Sequence, residues 1–302
     1  MNELKEKDLR FKIVDILLVL MMTVPIILGI VLQVMTEPPA SGVQITGARI
    51  FFTIPMPLQD FPVTESQVNS LIVMIVLLGF CLYITHGLSE KADLKRQHLA
   101  EFIVEKVDSL VKENMGDFFA SFTPFIISIL ALSALSSLLS LFGLYPPTSD
   151  INIVGGWAVL VFVLITYYKL KAGPLAYMKS FTQPVALLTP INIISEVATP
   201  VSMAFRHYGN VLSGAVISVL LGTALGGLSS MILGKLPGFL ADIPLFQVGI
   251  PAVLSIYFDV FSGCLQAFIF AMLTMMYVAG GFPEEEYKKK KSQKASKIKK
   301  IN

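Results

Sequence analysis

The chain has 302 residues, of which 54% are hydrophobic and only 15% charged, and its mean hydropathy is +0.72. Soluble domains carry about 25% charged residues, so this composition excludes an ordinary soluble protein. The formal net charge of +2 gives no reason to expect a nucleic-acid partner. The histidines at 86, 98 and 207 show no metal-ligand spacing, and we expect neither a metal nor a cofactor.

Six apolar segments predict an all-α integral membrane protein with about six transmembrane spans. Each segment reaches the roughly 20 residues that a helix needs to cross a bilayer about 30 Å thick. In chain order they are 13–35, 68–88, 118–144, 151–170, about 191–233 and about 244–278. The last two exceed the usual length, so we expect them to be tilted or kinked. An alternative for the first is a signal peptide, although its apolar core is longer than the usual 7–15 residues.

The spans divide the chain into four regions. Residues 1–36 hold an extra N-terminal span, 37–67 an outer loop with five prolines, 68–282 the membrane core, and 283–302 a lysine-rich tail. The tail has little to bury, so we expect disorder there. Between the second and third spans, apolar residues recur at helical spacing from Leu94 to Val111 with charges between them. This pattern predicts an amphipathic helix on the cytoplasmic surface, with or without a docking partner.

Lysine and arginine are distributed unevenly along the chain. Twenty of the 23 basic residues fall on one side of the six-span arrangement, including the whole lysine-rich tail. The other side has only Arg49 and Lys235, and Arg206 lies within the membrane. Because loops rich in lysine and arginine stay in the cytoplasm, both termini are predicted to be cytoplasmic.

Arg206 is the most informative residue of the sequence. From Ser180 to Gly234, only Arg206 and Glu196 carry a formal charge. An arginine in the membrane costs about 2.5 to 3.5 kcal/mol on insertion scales, and it does not lose its proton. It therefore needs a carboxylate or a water-filled cavity, and such a residue marks a functional site by default. The alternative is an arginine that merely pins two helices together.

Three carboxylates are candidates for the partner of Arg206. Glu196 lies ten positions away, which is about 15 Å along a helix and about 80° off its face. Asp259 on the sixth span is a second candidate. The third is a carboxylate that belongs to another protein.

Further polar residues accompany Arg206 on the last two spans. Asn210 and Gly214 follow it at i+4 and i+8 and share its face. In an antiparallel arrangement Gln266 lies near its depth, and Asp259 lies about 10 Å nearer the outside. Polar groups at different depths suit two offset aqueous half-pathways, with Glu196 on the inner side.

Two neighbours of this set have simpler interpretations. Asn210 and Gln266 are equally explained by hydrogen bonds between helices, which are common in membranes. His207 is rotated about 100° from Arg206 at 3.6 residues per turn, and no role is assigned to it.

Two stretches, PINIISEVATPVSMAFRHYGNVLSGAVI and FSGCLQAFIFAMLTMMYV, resemble subunit a of the membrane sector of bacterial F-type ATP synthases. The matching residues are Arg206, Asn210, Gly214 and Gln266. The resemblance is specific over about residues 185–280 and looser through spans two to four. It implies a stator beside a rotating ring of c subunits, with b subunits and the rest of the synthase as partners. It also implies a multi-pass protein of the bacterial plasma membrane, with ATP chemistry left to other subunits.

The resemblance also implies a mechanism. Ions enter one half-channel, neutralise a carboxylate on a c subunit, and leave through the other half-channel after the ring has turned. By resemblance Arg206 faces that carboxylate. The residues expected to serve ion translocation are Arg206, Asn210, Gln266, Asp259 and Glu196, and those expected to pack at the ring are Ser213 and Gly214. Protons are the expected ion, with sodium as the alternative.

Two departures from the family pattern concern the ion path. Many members have an acidic residue where Ala215 stands, and a basic residue often stands where this chain has Thr199. We therefore expect Asp259 alone to supply the titratable site of the outer half-channel. Two other functions were weighed. A self-contained secondary transporter would bind an anion at Arg206 in a pocket of its own, and an intramembrane enzyme would need a catalytic set that the sequence does not show.

Overall fold

The computed structural model describes residues 2–36, 47–57, 59–88, 95–182, 185–233, 253–254 and 256–282. Within these residues, six helical segments are long and apolar enough to cross a membrane. This confirms the all-α membrane fold and the predicted number of spans. The predicted disordered tail and residues 244–252, where the sixth span was expected to begin, lie outside the described residues.

The described part of the chain is mostly helical. The α-helices are α1 Asn2–Thr36, α2 Glu65–Thr85, α3 Lys95–Met115, α4 Thr123–Leu138, α5 Ile151–Ala172, α6 Pro174–Ser180, α7 Thr189–Leu233 and α8 Gly263–Gly280. Short 3-10 helices lie at Asp117–Phe122, Leu139–Phe142, Pro147–Ser149 and Ala186–Leu188. A π-helix, Ile256–Ser262, leads directly into α8. The third predicted span therefore consists of α4 with a 3-10 helix at each end.

The predicted outer loop contains a β-hairpin that the sequence analysis missed. Strand β1, Ile50–Ile54, pairs antiparallel with β2, Phe61–Thr64. Helix α2 begins directly after β2 at Glu65, three residues earlier than predicted. At this helix start, the Thr64 N–H donates a hydrogen bond to the Gln67 side chain at 3.2 Å. We call this side of the bundle the hairpin end and the opposite side the α3 end.

Helix α1 packs against α2 at the edge of the bundle. A Cβ placed on Gly79 would lie 2.9 Å from Met22 Cγ, so glycine lets the two helices approach closely. At the α3 end, Asp15 of α1 accepts a hydrogen bond from Arg96 at 2.8 Å and lies 2.9 Å from His86 Nδ1. Polar contacts thus join α1 to the end of α2 and the start of α3.

Helix α7 is much longer than a bilayer requires. Its 45 residues include Pro200, and at 1.5 Å per residue they extend about 67 Å. The hydrocarbon core is about 30 Å thick, so α7 must be strongly tilted or extend beyond it. One continuous helix therefore carries Glu196, Arg206 and Asn210.

The packing of α4 changes along its length. At the α3 end, Ile126 and Ile129 belong to an apolar core shared with Phe270 and Met275 of α8. Toward the hairpin end, α4 and the 3-10 helix after it turn four serines into the bundle. We call them the serine face, and they are Ser133, Ser136, Ser137 and Ser140.

Candidate ion pathway

Arg206 lies near the middle of α7, and its side chain is exposed on the surface of the bundle. It forms no ion pair with any described residue, since the pairs found there involve other basic side chains. An exposed arginine without an ion-pair partner among these residues does not pin two of the described helices together. Of the three candidate partners, neither Glu196 nor Asp259 pairs with it.

Asn210, one turn beyond Arg206, is fixed by Ser262 at the end of the π-helix. The Asn210 amide nitrogen donates to Ser262 Oγ at 2.9 Å, and Ser262 Oγ donates to Asn210 Oδ1 at 3.0 Å. The Ser262 carbonyl oxygen lies 3.4 Å from the same amide nitrogen. Asn210 therefore makes the helix–helix hydrogen bonds that were one of its two interpretations. The sequence analysis did not single out Ser262.

Gly214 and Ser213 lie on different sides of α7. A Cβ on Gly214 would lie 3.2 Å from two atoms of Phe258, so Gly214 packs inside this chain. The Ser213 side chain is exposed and donates to the Asn210 carbonyl oxygen at 3.0 Å. Of the two residues expected to pack at the ring, only Ser213 lies on the free surface of the bundle.

The same contacts set the register of α7 against the last span. Asn210 contacts Ser262. Gly214, four residues later on α7, contacts Phe258, four residues earlier on the last span, so the two helices run antiparallel. From the Asn210–Ser262 contact, one turn back on α7 reaches Arg206 and one turn onward on α8 reaches Gln266, each about 6 Å away. Gln266 therefore lies level with Arg206. The Gln266 side chain is 5% exposed.

Asp259 lies in the π-helix toward the hairpin end and is half-buried. Its carboxyl group lies near Ser140, whose hydroxyl donates to the Ser137 carbonyl oxygen at 2.8 Å. One turn further, a Cβ on Gly263 would lie 2.7 Å from Ser137 Cβ, so α4 and α8 touch there. No cationic side chain among the described residues pairs with Asp259.

Glu196 lies at the α3 end and has a cationic partner. Lys169 Nζ of α5 is 2.6 Å from Glu196 Oε1, and the Tyr177 hydroxyl is 3.4 Å from the same oxygen. Burial raises the pKa of Tyr177, and the neighbouring Glu196 carboxylate adds to the rise. The pair lines a cavity of about 170 Å³ together with Thr199 and Tyr277. In the sequence, Lys169 is only one of the twenty basic residues on one side of the six spans.

The described residues thus place polar groups at three levels. Glu196 with Lys169 lies at the α3 end, Arg206 with Asn210 lies in the middle, and Asp259 lies toward the hairpin end. Within the described ranges, no three His, Cys, Asp or Glu side chains are placed to hold a metal ion. Such an arrangement suits the passage of a small cation between two offset openings.

Comparison with known proteins shows a consistent likeness. Residues 68–279 match the family described as ATP synthase A chain. ATP synthase subunit a of Desulforamulus reducens is 34% identical over 222 residues, which cover 71% of this chain and 78% of the relative. The sodium ion specific subunit a of Propionigenium modestum is 27% identical, covering 87% of this chain and 97% of the relative. ATP synthase subunit a 1 of Crocosphaera subtropica is 29% identical, covering 72% and 86%.

Proposed function

This chain belongs to the ATP synthase A chain family, and we propose that it is the stator that passes ions to and from a rotating ring of c subunits. Arg206 is the observation that carries the proposal. Its side chain is exposed at mid-helix, level with Gln266, and it has no partner among the described residues of its own chain. A carboxylate on the ring would supply the missing charge.

The Arg206 guanidinium acts as a fixed positive charge, because arginine does not titrate in proteins. At about 4 Å and an effective dielectric near 20, its attraction for a carboxylate is worth roughly 4 kcal/mol before desolvation is subtracted. It therefore favours the ionised ring carboxylate as that group passes. It also repels cations, which opposes direct leakage from one opening to the other.

The two openings lie at opposite ends of the bundle. Asp259 with Ser140 belongs to the outer half-pathway, and Glu196 beside the 170 Å³ cavity belongs to the inner one. Asn210 and Gln266 line the level between them. This orientation puts the α3 end and both termini on the cytoplasmic side, as the distribution of basic residues favours.

The translocated ion in this proposal is the proton, with sodium as the alternative. The chain has no catalytic role of its own, and ATP chemistry lies in partner subunits. Its partners are the ring of c subunits, the b subunits, the rest of the F-type synthase and the lipid bilayer. Its place is the bacterial plasma membrane.

A self-contained transporter that binds an anion at Arg206 is less well supported. Such a protein needs a pocket around the arginine. Among the described residues, the cavities at the α3 end, beside Pro200 and beside Ile72 do not include Arg206 in their walls.

The proposal is tested by ATP-driven ion uptake into vesicles that contain the assembled synthase. We expect Arg206→Ala to assemble, to pump nothing and to leak ions passively. The matched control is Arg49→Ala, which removes an arginine paired with Glu65 at the hairpin end and should retain pumping. Normal pumping by an assembled Arg206→Ala complex would overturn the proposal.

A further inference from the structure

His207 follows Arg206 on α7 but lies inside the bundle. Its side chain is 0% exposed, and its Nε2 is 3.3 Å from Ser133 Oγ of α4. The rings of Trp157 and Phe270 approach it edge-on, at centroid distances of 6.0 and 5.6 Å. The other ring nitrogen, Nδ1, is buried and has no hydrogen-bond partner among the described residues.

Such a nitrogen requires an explanation. A neutral imidazole has one N–H donor and one acceptor nitrogen, and buried polar groups in proteins are nearly always paired with protein or with ordered water. The Ser136 hydroxyl is buried without a partner as well. Ser136 lies on α4, three residues beyond Ser133, and water in this part of the bundle would satisfy both groups.

The serine face connects His207 with Asp259. Ser133 contacts the imidazole at one end, and Ser140 lies beside Asp259 at the other, seven residues and about 10 Å away. Between them, Ser137 Oγ is 3.4 Å from Thr148 Oγ1. The hydroxyls therefore line a continuous polar strip between the outer carboxyl group and the level of Arg206.

Ordinary helix packing explains only part of this strip. Ser137 and Ser140 donate to carbonyl oxygens of the same chain segment, at 3.2 and 2.8 Å, as small polar residues often do in helices. Packing does not account for a fully buried imidazole with a free nitrogen. Nor does it account for the position of that imidazole at the inner end of the strip.

We propose that His207 is a proton relay at the inner end of the outer half-pathway. The neutral ring accepts a proton at Nε2 from the Ser133 hydroxyl, which regains one from water along the serine face. The ring then releases the proton held on Nδ1 to water that leads to the ring carboxylate opposite Arg206. It is neutral before and after the transfer. Rotation of the ring then turns the protonated Nε2 toward the exit and the bare Nδ1 toward the serine face, so that the next proton passes in the same direction.

This inference rests on the proposed stator function and narrows it, because an imidazole relays protons and does not relay sodium ions. It also gives a role to a residue that the sequence analysis left without one. The free nitrogen and the contact with Ser133 are the observations that change the interpretation.

The test is ATP-driven proton uptake by vesicles that contain the assembled synthase, followed with a pH-sensitive dye. We expect His207→Leu to lower the initial rate by roughly ten- to a hundredfold, since positioned proton-transfer groups contribute about a hundredfold or more. His207→Gln should stay similarly slow, because an amide holds water but does not relay a proton. Trp157→Phe is the matched control, and it should pump at the wild-type rate.

The outcomes separate this inference from the proposed function. The stator proposal itself is overturned if the wild type pumps no ion or if Arg206→Ala pumps normally. If both behave as expected, a wild-type rate in His207→Leu or in His207→Gln overturns the relay alone. ATP-driven sodium uptake without proton uptake overturns it too.

A second, smaller substitution keeps the relay testable even if His207→Leu misfolds. Ser133→Ala removes one hydroxyl from a helix that tolerates alanine well, and it should lower proton uptake by about threefold or more. Assembly of every variant is checked by co-purification with the c subunits. If His207→Leu fails to assemble, a wild-type rate in Ser133→Ala overturns the relay.

Discussion

Two carboxyl groups of the proposed pathway, at opposite ends of the bundle, are held by different partners. Glu196 at the α3 end lies 2.6 Å from the Lys169 ammonium group. Asp259 toward the hairpin end has the Ser140 hydroxyl beside it and no cation among the described residues. A paired carboxylate presents little net charge to a passing cation, whereas an unpaired one interacts with that cation directly. The difference teaches that the two ends of one pathway need not work by the same chemistry.

The largest effect on ion uptake is expected from a substitution at Asp259, at the outer end of the pathway. Asp259→Asn removes the one carboxyl group that no cation balances, and we expect ATP-driven uptake to fall by about a hundredfold. Glu196→Gln removes a carboxylate whose charge Lys169 already balances, and it should lower uptake by less than about tenfold. Equal losses in the two assembled variants would show that the pairing of Glu196 makes no functional difference.

The next effect concerns stability at the inner end. Lys169→Met leaves the Glu196 carboxylate without its cation, and removal of one partner of a buried pair costs about 3–5 kcal/mol. The Lys169 and Glu196 side chains are 23% and 19% exposed, so water screens the pair in part. We therefore expect a loss of about 1–2 kcal/mol in the free energy of unfolding. Thermal denaturation of the purified complex measures it.

Two further variants sharpen that measurement. The double variant Lys169→Met with Glu196→Gln should recover most of the loss, because no unpaired charge remains. Lys171→Met is the matched control. Its ammonium group lies over the rings of Phe118, Tyr167 and Tyr168, without a carboxylate partner in the ion pairs described above. Denaturation of the control at the same lower temperature as Lys169→Met would contradict the ion-pair explanation.

A smaller effect is expected between the two ends. Ser262→Ala removes the hydroxyl that bonds to the Asn210 amide and leaves only the backbone carbonyl contact at residue 262. It should cost about 1 kcal/mol for the lost hydrogen bonds and slow ion uptake severalfold. Ser230→Ala is the control, since its hydroxyl bonds to the Gly226 carbonyl oxygen of the same helix, away from Asn210. Uptake that slows equally in both variants would argue against a special role for the Asn210–Ser262 contact.

The smallest effect is expected where a carboxylate–lysine pair lies at the protein surface. On α3, hydrogen bonds from Lys112 and Thr123 hold the pKa of Asp108 below its ordinary value of 3.8. Because the pKa of Asp108 is lower in the folded state than in the unfolded state, the ionised carboxylate stabilises the fold above pH 3.8. This stabilisation is lost as the pH falls through the pKa of the folded state. Amide hydrogen exchange in α3 should therefore be slower in the wild type than in Asp108→Asn at neutral pH. The difference should vanish in strong acid, and a difference that persists there would contradict the assignment.

The spans were predictable because the thickness of the bilayer sets a length that apolar runs must reach. The β-hairpin was missed because its strands are only five and four residues long. The prolines at 55, 57 and 62 favour a loop in any local interpretation. Its formation depends on pairing across the turn rather than on either strand alone.

The contacts of the site were less predictable than its residues. Lys169 is 27 positions from Glu196, and Ser262 is 52 positions from Asn210, so no local pattern joins them. The π-helix adds a second difficulty. The predicted depth of Asp259 relative to Gln266 follows from α-helical geometry throughout, but a π-helix bonds i to i+5 and is wound more widely. Asp259 lies near Ser140 in the 3-10 helix after α4, a position that α-helical spacing alone does not provide.

The contact between Asp15 and Arg96 has a consequence for the order of events during synthesis. Asp15 leaves the ribosome 81 residues before Arg96 and 71 residues before His86. Until those residues emerge, a carboxylate inside a membrane helix costs up to about 3 kcal/mol. The helix that is made first thus gains its polar partners only after α2 has crossed the membrane and α3 has begun. In time, the N-terminal helix therefore settles after α2 and the start of α3 have been made, not when it first enters the membrane.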